Sequence, residues 1–379
     1  MVPASPWAEL SQTQRAIVLA LLRHGRLSRP QIMGLVGISP GSVTRLTAPL
    51  IEQGLLITRP ERASGAGRPP SPLELRADAE TLVGASLTAR TLTVVLTDLR
   101  LDVLETARRP LPDHDPRRVA DLLADVVGEL LARRRGAAAP SCLGISLGGT
   151  SRDGRTVDEA VFLGWHGVPL AAAIEARTGL PARVGNDLTA LTQHEAWFGA
   201  GRDHERLSLV TVGAGVGYGL VVDGGVITSP DAELGLLGTI PVPDGARPPV
   251  ASPAMDCLTD TALERAWAKA GGEPLGAGAI VERAADGDRA AVAVCDSFAR
   301  RLGRLIGMLA AFTLPEVVVV AGERAAVASL FEEQVMVGIA AVRRASARSP
   351  TIAVREHERV DWARGAACLA LRSRVMGEL

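Results

Sequence analysis

The sequence predicts an α/β protein in two parts: a small helical head ending in a β-hairpin, then an α/β body of two lobes. Three observations carry this prediction. Residues 12–54 hold short, capped runs with apolar residues at helical spacing, and strand-like runs follow around a Gly/Arg/Pro-rich stretch. From Leu82 the pattern changes to alternating strands separated by short polar turns, and the same opening recurs from Leu207. Charge divides at the same place. Residues 1–76 carry nine Arg, no Lys and four Glu, a surplus of +5, whereas the remainder carries −6 in a chain of net charge −1. A basic head on an acidic body points the head, and not the body, at a polyanion.

Length and composition set the bounds. A chain of 379 residues, 47% hydrophobic and 22% charged, is long enough for two or three domains with a large packed core. The four cysteines (Cys142, Cys257, Cys295, Cys368) are scattered without a CxxC pair, which gives neither a zinc nor a disulfide framework and fits a reducing compartment. The first residues lack a basic segment followed by an apolar one. The longest apolar run, residues 305–321, is broken by Pro315-Glu316 and reads as a helix followed by a buried strand. The expected location is the cytoplasm, with no membrane partner.

In the head, Ile17/Leu21 and Val18/Leu22 at i, i+4 define one buried helical face. Ser28 caps a second short helix carrying Ile32, Leu35 and Val36, closed by Gly37. Ser39-Pro40 starts a third helix, the serine as cap and the proline where its missing N–H costs nothing; Gly54 ends it. With Val43, Leu46, Leu50 and Ile51 inward, Ser42, Thr44, Arg45, Thr47 and Ala48 are expected to face out. Two short helices joined by a tight turn make a helix-turn-helix, and the outward set suits a major groove: hydroxyls for phosphates and base edges, an arginine for guanine. Strand-like residues 55–58 and 72–76 then flank a tip containing Arg59, Arg62, Gly67, Arg68 and Pro69. A hairpin placed there is a wing, and its slim Gly-Arg-Pro tip suits an A·T-rich minor groove. The competing reading is an ordinary three-helix bundle with a solvated face.

In the body, residues 82–87, 92–97 and 101–105 read as a strand meander, 117–134 as a helix and 142–147 as a buried strand. Residues 207–212, the turn Gly213 to Gly217 and residues 218–222 form a second meander, and 317–321 a second fully buried strand. Two lobes that each open on a hairpin meander resemble the duplicated organisation of the actin-like ATPase and sugar kinase fold.

The ordered motifs make a more specific resemblance. They are Gly144-Ile145-Ser146-Leu147-Gly148-Gly149, Gly164-Trp165-His166-Gly167-Val168-Pro169, and Gly179-Leu180-Pro181 leading to Asn186-Asp187. Glu195 with Phe198-Gly199, Val212-Gly213-Ala214-Gly215-Val216-Gly217, and Leu314-Pro315-Glu316 leading to Gly322 complete the series. In this order the body resembles the ROK family (repressors, open reading frames and sugar kinases), and the whole chain, from about Ala16 to Arg364, resembles its repressor branch. The resemblance implies that Asn186 and Asp187 contact sugar hydroxyls, with Asp187 at the position of the kinase base, and that Gly148, Gly149 and Thr239 border the same ligand. Without the resemblance, Asn186 would turn the chain and Asp187 would cap the next helix.

The same alignment predicts lost chemistry. Where the family's kinases carry an Asp-x-Gly-Gly-Thr loop for Mg-ATP, this chain reads Ser86-Leu87-Thr88-Ala89, with Ser86 at the Asp position. A hydroxyl does not replace a carboxylate near magnesium. Leu236 stands at the position of a sugar-binding Glu and Thr239 at that of a zinc-binding His, while the zinc-loop region retains only Cys257. The histidines His166 and His194 have no spaced partner for a metal. No ATP, zinc or other cofactor is expected, and no catalytic residue.

The sequence therefore predicts a winged helix-turn-helix at residues 1–76, a first lobe at 77–200, and a second lobe at 201–379 whose C-terminal helix returns towards the first. The expected activity is non-enzymatic: a homodimeric or tetrameric regulator, a repressor by family habit, binding an inverted-repeat double-stranded operator and answering to a sugar or sugar-phosphate effector in carbohydrate metabolism. The rivals are an ATP-dependent hexose kinase with an appended domain, and a body used only for dimerisation or protein docking.

Overall fold

The computed structural model describes residues 7, 10–59, 71–134, 139–229, 231–246, 250–356 and 359–379. They form two compact units, one made of residues up to Asp203 together with Arg359–Leu379, the other of His204–Glu358.

The first unit begins with the head. Its three helices are α1 (Gln12–His24), α2 (Arg29–Val36) and α3 (Pro40–Glu52). Ser11 and Ser28 each build a reciprocal capping box, with Gln14 and Gln31 returning to the cap backbone, so two orphan N–H groups are satisfied at each start. Gly37, at φ +72°, supplies the left-handed turn that ends α2 and sets the angle into α3. Strands β1 (Leu56–Thr58) and β2 (Leu73–Leu75) pair antiparallel, and Leu27 adds a single antiparallel bridge to Leu73. Ile17, Val18, Leu21, Ile32, Val43, Leu50, Leu56 and Leu73 fill the core.

Helix α2 is held by a narrow buried stripe, and one expectation for α3, the outward Thr47, fails. Leu35 is 52% exposed, because the two-turn α2 is anchored by Ile32 alone and Leu35 falls beside its buried stripe. Thr47 is buried, at 1% exposure, with its hydroxyl donating to the Val43 carbonyl at 2.8 Å. It stands one turn from Val43 on the inward stripe, and an i−4 bond satisfies its one polar group.

The lobe that follows contains β3 (Thr81–Leu87), β4 (Thr91–Thr97), β5 (Val103–Pro110), α4 (Pro116–Arg133) and β6 (Pro140–Leu147). A two-stranded ribbon of β7 (Val157–Ala160) and β8 (Trp165–Val168) precedes α5 (Leu170–Thr178), β9 (Ala182–Asn186) and α6 (Asp187–Phe198). The sheet order is β5-β4-β3-β6-β9; the opening meander is antiparallel, and β6 and β9 add in parallel. Strand β5 runs on to Pro110, beyond the predicted 101–105, and Leu101 sits instead in the preceding turn at φ +60°.

The second unit repeats the plan. β10 (Leu207–Val212), β11 (Val216–Val222) and β12 (Gly225–Val226) form its meander; β13 (Pro241–Pro243) and β14 (Ala251–Pro253) form a ribbon. Helices α7 (Ala254–Cys257), α8 (Asp260–Lys269), α9 (Ala277–Ala285) and α10 (Arg289–Thr313) lead to β15 (Val317–Ala321). Helices α11 (Ala326–Leu330) and α12 (Glu332–Ala341) then lead to β16 (Thr351–Val354). The sheet order β12-β11-β10-β15-β16 has the same antiparallel-then-parallel pattern as the first lobe. This is the duplicated α/β fold that the two meanders predict.

The last helix, α13 (Arg359–Met376), belongs to the first unit and lies on β3 and β6. The approach requires glycine. A Cβ on Gly84 or Gly144 would stand 2.0 or 1.8 Å from the carbonyl oxygens of Ala363 and Ala366. The far end of α13 meets the head, where Arg15 Nη1 donates to the Val375 carbonyl at 2.8 Å.

Candidate functional site

The head presents the start of α3 as its candidate contact surface. Ser39 caps the helix, its Oγ accepting from Ser42 N at 3.3 Å and lying 3.0 Å from Ser42 Oγ. Thr44 and Arg45 are exposed on the next turn, and Ser42 is half-buried. The helix start therefore offers hydroxyls and a guanidinium together, which suits a phosphate backbone and a guanine edge. Gln14 Nε2 ties α1 to α3 by donating to the Leu46 carbonyl at 3.1 Å. Of the expected outward residues, Thr47 is not available, for the reason given above.

Arg59, expected on the wing, is bonded to Glu74 on β2. Glu74 is 3% exposed and also receives Arg26 at 3.4 Å and Arg100 at 3.2 Å. Burial pushes its pKa up, but the hydrogen bonds and charges of Arg59, Arg26 and Arg100 outweigh this and hold it below the usual carboxylate value. Arg62, Gly67, Arg68 and Pro69 lie outside the described residues.

The candidate ligand residues of the first lobe come together where β6 and β9 end. Leu147 pairs with Asn186, which places Gly148 and Gly149 beside the start of α6. Asn186 Nδ2 donates to the Gly149 carbonyl at 2.9 Å, while its Oδ1 accepts from Leu188 N and Thr189 N at 2.9 and 3.1 Å. Asn186, not Asp187, is thus the cap of α6. A Cβ on Gly148 would stand 3.6 Å from Asp187 Oδ2, so the carboxylate faces that glycine. Thr239 belongs to the second unit, exposed on a 3-10 turn, where its hydroxyl donates to the Leu236 carbonyl at 2.8 Å. Leu236 on the same turn is 52% exposed.

The β3–β4 turn closes on itself. Thr88 Oγ1 accepts from Thr91 N at 3.0 Å and from Arg90 N at 3.3 Å. Two backbone N–H groups that could face a phosphate are occupied by a side-chain hydroxyl. Ser86 is buried in β3, opposite Thr93 and Ser146. The sequence signal for the Thr88 lock was the threonine itself, since hydroxyl side chains bond the backbone two and three residues on.

Among the described residues no group of three His, Cys, Asp or Glu side chains is placed to hold a metal, and all four cysteines are free and buried. Burial pushes the Cys142 thiol up to about 12 and the Cys295 thiol to about 11. His194 is buried on α6, with its ring stacked on Phe198. Among the described residues no helix is long and apolar enough to cross a membrane.

A winged helix-turn-helix in front of a duplicated α/β body defines a class of two-part proteins, and sequence comparison names it. The ROK family profile matches residues 83–373, and the profile of winged helix-turn-helix DNA-binding domains matches residues 10–57. The chain belongs to the ROK family and carries an N-terminal winged helix-turn-helix domain, as known ROK transcriptional regulators do. It is 27% identical to the N-acetylglucosamine repressor of Escherichia coli O6:H1 over 331 residues, covering 83% of this chain and 81% of that one. In fold it is similar to a ROK family transcriptional regulator described as a homolog of E. coli MLC, at a TM-score of 0.78 and 22% identity over 96% of both chains. A ROK family glucokinase from Streptomyces griseus, solved with glucose and AMPPNP, is also similar in fold, at a TM-score of 0.63 and 21% identity. It covers 77% of this chain and 99% of its own. Similarity therefore extends to kinases as well as regulators, while the relatives that share the head support a DNA-binding regulatory role.

Proposed function

We propose that the chain is a cytoplasmic repressor of sugar-related genes, with residues 1–76 as its DNA-binding domain and a ROK body that senses rather than phosphorylates. The observation that carries this reading is α3, whose capped N-terminus sets Ser39, Ser42, Thr44 and Arg45 at one end of a helix in a winged helix-turn-helix. In a symmetric dimer two such helices would meet successive major grooves, so the operator is an inverted repeat. The wing, with Arg62, Gly67, Arg68 and Pro69, adds minor-groove contacts in A·T-rich flanks.

The effector in this reading is a sugar or sugar phosphate, held in the first lobe by Asn186 and Asp187 beside Gly148 and Gly149. The N-acetylglucosamine repressor among its relatives supports that chemical class. Asn186 has its amide group engaged in the cap and the Gly149 bond, and in this reading the Asp187 carboxylate, whose Oδ2 faces Gly148, supplies the charged contact. Loss of phosphotransfer is supported by Ser86 in place of a carboxylate and by the Thr88 hydroxyl occupying the turn.

The test pairs two assays on the full chain. Selection from a randomised duplex library should return an inverted repeat, whereas release of ADP from Mg-ATP with a panel of hexoses should stay at background. Robust turnover would make the chain a kinase with an appended domain.

A further inference from the structure

Where the head meets the first lobe lies a cavity of about 490 Å³, a volume within the range of small-ligand pockets. Its walls come from both parts: the end of α1 and β2 from the head, the turn before β5, the end of α6 and the side of α13 from the lobe. We propose that this cavity is a binding site for a small oxyanion, a phosphate group free or esterified, held by Arg26, Arg100, Arg202 and Arg364.

The charge inventory is the first argument. Those four guanidinium groups and His24 line the cavity, and the acids among its lining residues are Glu74 and Asp102. Glu74 is already shared by three arginines, including Arg59 from outside the cavity, so one carboxylate offsets three cations. The donor count is the second. Each guanidinium has five N–H donors, yet among the described residues Arg26 and Arg100 each spend one nitrogen on Glu74. Arg202 spends its Nε on the Arg23 carbonyl, and Arg364 two nitrogens on the Leu101 carbonyl and Asp361. Unspent guanidinium N–H groups lining one cavity are what a tetrahedral oxyanion takes.

His24 reports the local potential independently. Burial lowers its pKa, and the neighbouring cations Arg23 and Arg202 lower it further, against the opposing pull of Asp203. A bound anion would reverse that sign and raise it. Because the walls belong to head and lobe alike, an occupant would hold the head to the lobe, and any ligand that prefers the docked arrangement shifts the population towards it. The consequence for operator binding rests on the reading of the head as DNA-binding; the binding site itself does not.

The test therefore needs no DNA. The full chain, at constant ionic strength, is titrated with inorganic phosphate, with glucose 6-phosphate and with glucose, reading amide exchange over residues 12–26 and the ring titration of His24. Either phosphate should slow exchange about tenfold at ten times its Kd, and should raise the His24 midpoint, while glucose does neither. The tighter of the two identifies the source as free or esterified phosphate. Among the described residues Arg364 bonds the Leu101 carbonyl and Asp361, both in the lobe, so Arg364→Gln should weaken phosphate binding without undocking the head. Arg202→Gln should abolish the effect, and Arg202→Lys should keep part of it. An absence of saturable protection, or protection unchanged in Arg364→Gln and Arg202→Gln, would overturn the proposal. Failure of operator binding with phosphate protection intact would strike the proposed function instead.

Discussion

Arg45 and Thr47 stand two residues apart on one helix and have opposite fates. Arg45 is exposed near the capped end of α3, and as a base-reading arginine it is worth ~1–3 kcal/mol of discrimination. Arg45→Ala should weaken specific operator binding about tenfold to a hundredfold, measured by fluorescence anisotropy at fixed salt, and should leave the melting temperature unchanged. Thr47→Val should do the reverse: it removes a buried hydroxyl bond worth ~1 kcal/mol, lowering thermal stability slightly with operator affinity intact. The cysteines carry a further residue-scale prediction. With Cys142 raised to about 12 and Cys295 to about 11, thiolate is scarce at pH 8. Native protein should react with an alkylating reagent only as fast as it unfolds, and rapid labelling of either thiol without denaturant would contradict their burial.

At the scale of elements, α6 depends on Asn186. Asn186→Ala removes the cap and the link to Gly149 together, costing ~1–2 kcal/mol in chemical denaturation. Asn186→Asp keeps the accepting oxygen and loses only the donor, so it should recover most of the stability; an equal loss in both variants would mean that the Gly149 bond dominates. The caps were legible in the sequence because they are chemical statements: Ser28, Ser39-Pro40 and Gly37 each do locally what their residue type does best. Strand β5 was half-hidden for the opposite reason. It is the edge strand, with Glu105, Arg108 and Arg109 along it, and an edge exposed to water shows no apolar alternation. Thr47 was misread because its polarity hid a position that helical spacing from Val43 assigns to the core. At the ligand residues, the gathering of Gly148, Gly149, Asn186 and Asp187 followed from motif order, but the division of capping between Asn186 and Asp187 did not, since either side chain type caps equally well.

For the whole molecule, the long-range bonds between head and lobe were invisible in the sequence. Glu74 on the head, Arg100 in the lobe, Arg202 at the end of α6 and Arg15 against α13 tie residues up to 360 positions apart, and no local pattern marks such partners. Glu74 gives this docking a pH signature. Its native pKa is depressed, so its contribution is complete above the ordinary carboxylate pKa and is lost as the pH falls through the depressed native value. Glu74→Gln should therefore lower the melting temperature at pH 7 and flatten the acid limb of the stability profile; a variant whose acid limb matches the parent would remove Glu74 from the account.

The central claim is that this ROK-family chain reads DNA through α3, and equilibrium binding to a library-selected inverted repeat tests it most directly. The account predicts specific binding at least ~10³-fold tighter than to random duplex, falling steeply with salt and reduced by Arg45→Ala. Equal affinity for selected and random duplex, or specific binding indifferent to Arg45, would contradict it.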